Sequence, residues 1–218
     1  MIPAFAVDRT QLLMYYLREL EDQKKIPQLP VYLDSPMAIN ITDIYIRHRA
    51  DHGLKEQQNL DPLNAQQVHM TRAVEDSKKI NDVVSPCIII SASGMITGGR
   101  VLHHLARRLP DSRCTVLLVG YQAEGSGGRA LLDGARYLRI HGEEIPVRAE
   151  VVEIGQLSAH AGRSELLRWL SGFQARPRQT FLVHGEPNAL DSFRNAIATQ
   201  YHWPVTIPDY LQSFDLNS

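Results

Sequence analysis

Cysteine is scarce: Cys87 and Cys114 are the only two in 218 residues, each beside an apolar run and without a Cys-x-x-Cys spacing. That excludes a disulfide-stapled miniprotein and predicts reduced thiols in a cytoplasmic protein. Long apolar runs are missing as well, since no stretch approaches the roughly 20 residues of a membrane-spanning helix. The opening segment, Met1-Ile-Pro-Ala-Phe-Ala-Val7, has no basic region before it and stops at Asp8-Arg9, so no signal peptide is expected. Charge of one sign is lacking too. With 23 Lys+Arg against 24 Asp+Glu, any polyanion site must be local. There is no His-x-His, no His-Glu-x-x-His, no Walker A loop and no dinucleotide fingerprint.

What is present is an alternation of strand and helix signals. At 44% apolar and 22% charged residues the chain is that of a folded protein, long enough for one domain or one domain and part of a second. Met1 to Val7 reads as a buried strand, and Leu13, Tyr16, Leu17 and Leu20 recur at helical spacing after it. Pro30-Val-Tyr-Leu33 predicts a strand, and Ser35-Pro36 predicts the cap of a helix buried through Met37, Ile41, Ile44 and Tyr45. From about His52 to Asp82 the pattern is polar and helical. Cys87-Ile-Ile-Ile90 and Thr115-Val-Leu-Leu-Val119 are continuous apolar runs of the kind found in buried parallel strands. Residues 136–154 predict a hairpin turning at Gly142-Glu143, with Val147 to Ile154 as its second strand. A helix through Leu166, Leu167 and Leu170, a strand at Thr180-Phe-Leu-Val183, a helix bearing Leu190, Phe193 and Ile197, and a strand near Val205 complete the pattern. The expected fold is α/β, with a largely parallel sheet flanked by helices.

Two glycine-rich turns join a strand to a helix in similar ways. They are Ser91-Ala-Ser-Gly-Met-Ile-Thr-Gly-Gly-Arg100 and Gly120-Tyr-Gln-Ala-Glu-Gly-Ser-Gly-Gly-Arg129. In open α/β sheets ligands gather beyond the carboxyl ends of strands, where unpaired N–H groups meet an anion. Seven arginines between residues 94 and 139 face only Asp111, Glu124 and Asp133, a local surplus of four positive charges. Two readings stand: glycines that merely permit tight turns, or a phosphate-binding edge. Of nine histidines, His160 in Leu157-Ser-Ala-His-Ala-Gly162 and His184 in His184-Gly-Glu-Pro-Asn188 lie on loops between successive elements. Imidazole there suits zinc binding or proton transfer, though two histidines alone are too few for a catalytic zinc. The other seven, the adjacent His103 and His104 included, are expected to serve structure.

Taken in order, Ile2-Pro-Ala-Phe-Ala-Val7, Val31-Tyr-Leu-Asp-Ser-Pro-Met-Ala38, Ser91-Ala-Ser-Gly-Met95 with Gly98-Gly-Arg100, Gly120-Tyr-Gln-Ala-Glu-Gly125, Leu157-Ser-Ala-His-Ala161 and Leu182-Val-His-Gly-Glu186 form a set. The chain resembles the β-CASP branch of the metallo-β-lactamase superfamily, RNA-processing nucleases with two zinc ions. The resemblance implies a β-CASP domain over 1–146 and, over 147–218, the C-terminal part of a metallo-β-lactamase-like αββα sandwich. It implies single-stranded RNA as partner and hydrolysis of its phosphodiester bonds by a two-zinc mechanism. His184 resembles a ligand of the second zinc, and His160 the residue that contacts the scissile phosphate and protonates the leaving oxygen. Ser91, Ser93, Gly94, Gly98, Gly99, Arg100, Gly125, Arg129 and Ser158 are the expected phosphate-facing residues.

The departures from the family pattern are two. Asp8 stands where relatives commonly have glycine, and the His-x-His-x-Asp-His ligand cluster is not among these 218 residues. The expectation is the C-terminal half of such a nuclease, binding zinc weakly and inactive in isolation, which self-associates into homo-oligomers or depends on an N-terminal half or partner chain. The alternative is a non-catalytic RNA- or nucleotide-binding module that uses the same turns.

Overall fold

The apolar runs Ile88-Ile-Ile90 and Val116-Leu-Leu-Val119 suit strands covered on both faces, and both lie inside the sheet. The structure, a computed structural model, describes residues 1–51, 68–157 and 160–216. It divides into two compact units, Met1–Ser158 and Ala159–Ser218.

In the first unit the elements follow in order: β1 (Ile2–Pro3), α1 (Arg9–Asp22), β2 (Val31–Asp34), α2 (Pro36–Arg47), β3 (Val68–Met70), α3 (Val74–Ile80), β4 (Ile88–Ser91), α4 (Arg100–Arg108), β5 (Thr115–Val119), α5 (Gly127–Leu132), β6 (Tyr137–Ile140), β7 (Glu143–Pro146) and β8 (Glu150–Ile154). Four strands pair in parallel in the order β1-β4-β2-β3, with Leu33 opposite Ile90 and Met70. β5 and β8 pair in parallel, Val116 opposite Val151. Met1 joins the two sets: its nitrogen donates to Thr115 O at 2.8 Å and its carbonyl accepts from Leu117 N at 2.9 Å. The strands thus run β3-β2-β4-β1-β5-β8, and every carboxyl end lies on one edge.

The sheet is covered on both faces. Leu13 and Met14 of α1 and Ala38 and Ile39 of α2 pack on Ile2, Leu33 and Ile90. On the other face Val101 and Leu105 of α4, Leu131 of α5 and Leu138 and Ile140 of β6 pack on Val116 and Leu118. Burying each such side chain contributes about 1.5–3 kcal/mol before ordering costs.

Several sequence expectations are corrected. The first strand is only Ile2–Pro3; the chain leaves the sheet at Phe5, and Val7 is exposed. The buried face of α2 is Ala38, Ile39 and Thr42, while Met37 and Ile44 are exposed. Thr42 is tolerated inside because its hydroxyl donates to Ala38 O and accepts from Gln11 Nε2. A strand, β3, occupies part of the stretch read as helical, whose residues 52–67 lie outside the described ones. The hairpin is β6–β7, closed by His141 and Gly142 with φ of 51° and 86°. Two left-handed residues make the tight turn that matches strand twist. β8 is therefore not a hairpin arm but the parallel neighbour of β5.

The second unit contains α6 (Arg163–Leu170), β9 (Thr180–Phe181), α7 (Pro187–Tyr201) and β10 (Val205–Thr206). β9 and β10 pair in parallel, and Leu170, Ile197 and Trp203 form its buried core. Among the described residues no helix is long and apolar enough to cross a membrane.

Candidate nucleic-acid interface

Both glycine-rich turns leave the carboxyl ends of strands, the first from β4 and the second from β5, and they are joined to each other. Gln122 is buried, and its Nε2 donates to Gly94 O at 3.1 Å and Gly120 O at 3.2 Å. Gly128 N at the start of α5 donates to Met95 O at 3.0 Å. At Gly128 the Gln122 amide occupies the place a side chain would take. The second turn is thus tied to the first by one side chain and one backbone N–H. Gly125 has φ of 78° with open space around it, and Arg129 pairs with Asp133 one helical turn on.

The first turn, residues 91–100, is held from beneath by one carboxylate. Asp34, at the end of β2, is wholly buried. Its Oδ1 accepts from Arg100 Nη1 at 2.7 Å; its Oδ2 accepts from His104 Nε2 at 2.7 Å and from Ser77 Oγ at 2.6 Å. Arg100 and His104 are four apart on α4, hence on one face. Ser91 Oγ donates to Asp34 O at 2.9 Å, so the same residue grips both stems of the turn. Arg100 also donates to Thr71 O and Arg72 O at the end of β3. Burial pushes the Asp34 carboxyl up, but the hydrogen bonds from His104, Ser77 and Arg100 outweigh it and hold the group below the ordinary carboxylate range.

At the turn itself Ser93 Oγ lies 2.9 Å from Thr97 Oγ1. Gly94 lies under the ring of Phe5, and no atom would meet a Cβ on Gly98 within 4 Å. Gly99, at φ 80°, precedes α4 where a Cβ would approach Ala92 O to 2.8 Å.

The seven arginines between residues 94 and 139 do not share one edge. α4 carries the chain the length of the sheet, so Arg107, Arg108 and Arg113 line an open groove of about 1210 Å³ at the amino ends of the strands, with Cys87 and Cys114. Arg108 donates to Ile80 O and Val83 O there, and Arg113 pairs with Asp111. His104 serves structure, as the sequence suggests, but at the centre of the site: it is wholly buried against Asp34, its Nδ1 2.8 Å from Asn81 Oδ1. The signal was the i, i+4 spacing of Arg100 and His104 after a strand ending in Asp.

In the second unit His160 precedes α6 and His184 lies between β9 and α7 at φ 63°, both exposed. Ser158 lies outside the described residues. Among the described residues no three His, Cys, Asp or Glu side chains are grouped to hold a metal ion. Two imidazoles are suitable zinc donors, but they fall short of the three protein ligands of a catalytic zinc.

A parallel α/β unit with paired glycine-rich turns at its carboxyl edge, followed by a small α/β unit bearing two loop histidines, defines a class that the comparisons identify. Residues 10–131 match the Beta-Casp domain model, and residues 144–208 match the Zn-dependent metallo-hydrolase RNA specificity domain. The chain belongs to the β-CASP family of metallo-β-lactamase-fold proteins. It is 39% identical over 197 residues to Ribonuclease TTHA0252 of Thermus thermophilus, covering 87% of this chain and 44% of that one. To Transcription termination factor FttA of Pyrococcus abyssi it is 32% identical, covering 99% and 35%. To the RNase J-like protein of Methanocaldococcus jannaschii it is 30% identical, covering 95% and 48%. The chain spans less than half the length of these relatives.

Proposed function

We propose that these 218 residues are the RNA-holding and C-terminal part of a zinc-dependent ribonuclease, a β-CASP domain over 1–146 and a metallo-β-lactamase-like segment over 147–218. The observation that carries this is the pair of linked glycine-rich turns at the carboxyl edge, within a chain matched by both domain models. The substrate is single-stranded RNA in the cytoplasm, cleaved at its phosphodiester bonds. Ser93, Gly94, Gly98, Gly99, Gly125, Arg129 and Ser158 are assigned to the phosphate path; Ser91, expected there from the sequence, is buried with its hydroxyl on Asp34 O and braces the turn instead. Arg100, whose guanidinium is committed to Asp34, acts on that path by fixing the turn. His160 protonates the leaving oxygen, and His184 supplies one zinc ligand.

The ligand set fits a complete zinc site only in part, so no catalytic step is assigned to metal on these residues. Zinc in the whole enzyme supplies the Lewis acidity for attack on phosphorus. The remaining ligands come from an N-terminal half or a partner chain. A second reading, a binding module with no catalysis of its own, is supported by the same two turns, which hydrogen bonds alone hold together.

Calorimetric titration with Zn²⁺ and a cleavage assay on end-labelled single-stranded RNA test both readings. The expected outcome is weak zinc binding, no cleavage, and salt-dependent RNA binding that Arg129→Ala weakens and EDTA leaves intact. Zinc-dependent cleavage abolished by His184→Ala would show that the polypeptide is active by itself. RNA binding that disappears with EDTA would show that metal, not the turns, holds the strand. No RNA binding at all would remove the nuclease reading.

A further inference from the structure

Phe5 follows β1 and Tyr121 follows β5, neighbouring strands, so both stand on the carboxyl edge beside the turn that leaves β4. Both are large, and both are open to solvent, Phe5 by 45% and Tyr121 by 53%. Phe5 is held in place. Its carbonyl accepts from Thr10 Oγ1 at 2.8 Å, and its ring lies so close to the turn that a Cβ on Gly94 would come within 2.9 Å of Cδ2. The glycine at 94 is thus shaped to the ring.

Three cations of this edge are paired with carboxylates. Arg72 pairs with Asp43, Arg100 with Asp34 and Arg129 with Asp133. Beside those pairs the edge offers a polyanion backbone, hydroxyls and aromatic surface. A strand of nucleic acid with unpaired bases is the polyanion that fits, because each base has a π-face that stacks on an aromatic ring whatever its sequence.

We propose that Phe5 and Tyr121 form a base-stacking platform for single-stranded RNA. The turn at 91–99 takes a phosphate, and the two rings, just beyond the ends of neighbouring strands, take bases next to it. This rests on the RNA reading above and adds to it the groups that meet the bases. The recognition is tolerant of sequence, because stacking reads no base edge.

The test is fluorescence anisotropy of the 218-residue chain with a labelled oligoadenylate and with an abasic ribose-phosphate oligomer of equal length. Wild type is expected to prefer the oligoadenylate. Phe5→Leu and Tyr121→Leu keep apolar packing but remove the π-face, and each is expected to weaken oligoadenylate binding roughly 5- to 150-fold. Their binding to the abasic oligomer stays as in wild type, and Tyr121→Phe restores the preference. Circular dichroism melting checks the fold; if Phe5→Leu does not fold, the Tyr121 pair decides. Equal affinity of the leucine variants for oligoadenylate, or no preference for bases in the wild type, overturns the platform and leaves the RNA reading standing. Failure of the wild type to bind either oligomer removes both.

Discussion

Asp34 shows how much one buried carboxylate can organise. Its two oxygens take hydrogen bonds from an arginine, a histidine and a serine, and its carbonyl takes a fourth from Ser91. Burying an ion pair is not by itself stabilising, but removing one partner leaves the other charged and unpaired in the interior. Asp34→Ala is therefore expected to cost about 3–5 kcal/mol in urea unfolding at neutral pH. The pH dependence has a definite sign. The carboxyl titrates lower in the folded chain than in the unfolded one, so on acidification the unfolded chain takes up its proton first. The contribution is complete above the ordinary Asp value of about 3.9 and is lost as pH falls through it towards the lowered folded value. The stability gap between wild type and Asp34→Asn should narrow at pH 3 relative to pH 7. A gap that widens on acidification would contradict the network. The sequence announced Asp34 only as part of a strand-end motif; its partners, Ser77 and His104, are 43 and 70 positions away. No periodicity connects residues that far apart.

Among the elements, the apolar runs of β4 and β5 and the helical repeats of α4, α6 and α7 were legible because burial on both faces, or on one stripe, writes itself into local sequence. What was not legible depended on partners. β8 alternates like a hairpin arm, and only the parallel pairing with β5 decides otherwise. The join between β1 and α1 lies between these cases. Arg9 N donates to Val7 O at 2.7 Å, closing a three-residue γ-turn about Asp8, which has φ of 66° and ψ of −60°. That conformation is strained for any residue with a side chain. Its carboxylate gains only a long contact, 3.4 Å from Tyr45 Oη, in exchange. The departure from glycine noticed at Asp8 thus falls where glycine is the less strained choice. Asp8→Gly is expected to stabilise the chain by roughly 1 kcal/mol, seen as a raised urea midpoint with an unchanged slope. A lower midpoint would mean that the Tyr45 contact outweighs the strain.

At the scale of the whole molecule, the two units are unequally built. The first has two hydrophobic clusters, one on each face of its sheet; the second rests on Leu170, Ile197 and Trp203. A unit of about 60 residues buries only about 60% of its unfolded surface and is marginal for that reason. It also leaves Trp169 66% exposed and Leu211 81% exposed, surface that association would cover. The second unit is therefore expected to unfold first, and the chain carries its own reporter. Both tryptophans, Trp169 and Trp203, are in the second unit, whereas most of the helical residues, which dominate the far-ultraviolet signal, are in the first. In a urea titration the tryptophan emission should shift at a lower denaturant concentration than the circular dichroism signal. Non-coincident probes are the mark of more than two states. Raising the protein concentration should move the tryptophan transition upward if copies cover the exposed surface of the second unit, because association stabilises the folded form by mass action. Coincident, concentration-independent transitions would instead show that the small core is sufficient by itself, and would count against dependence on a partner.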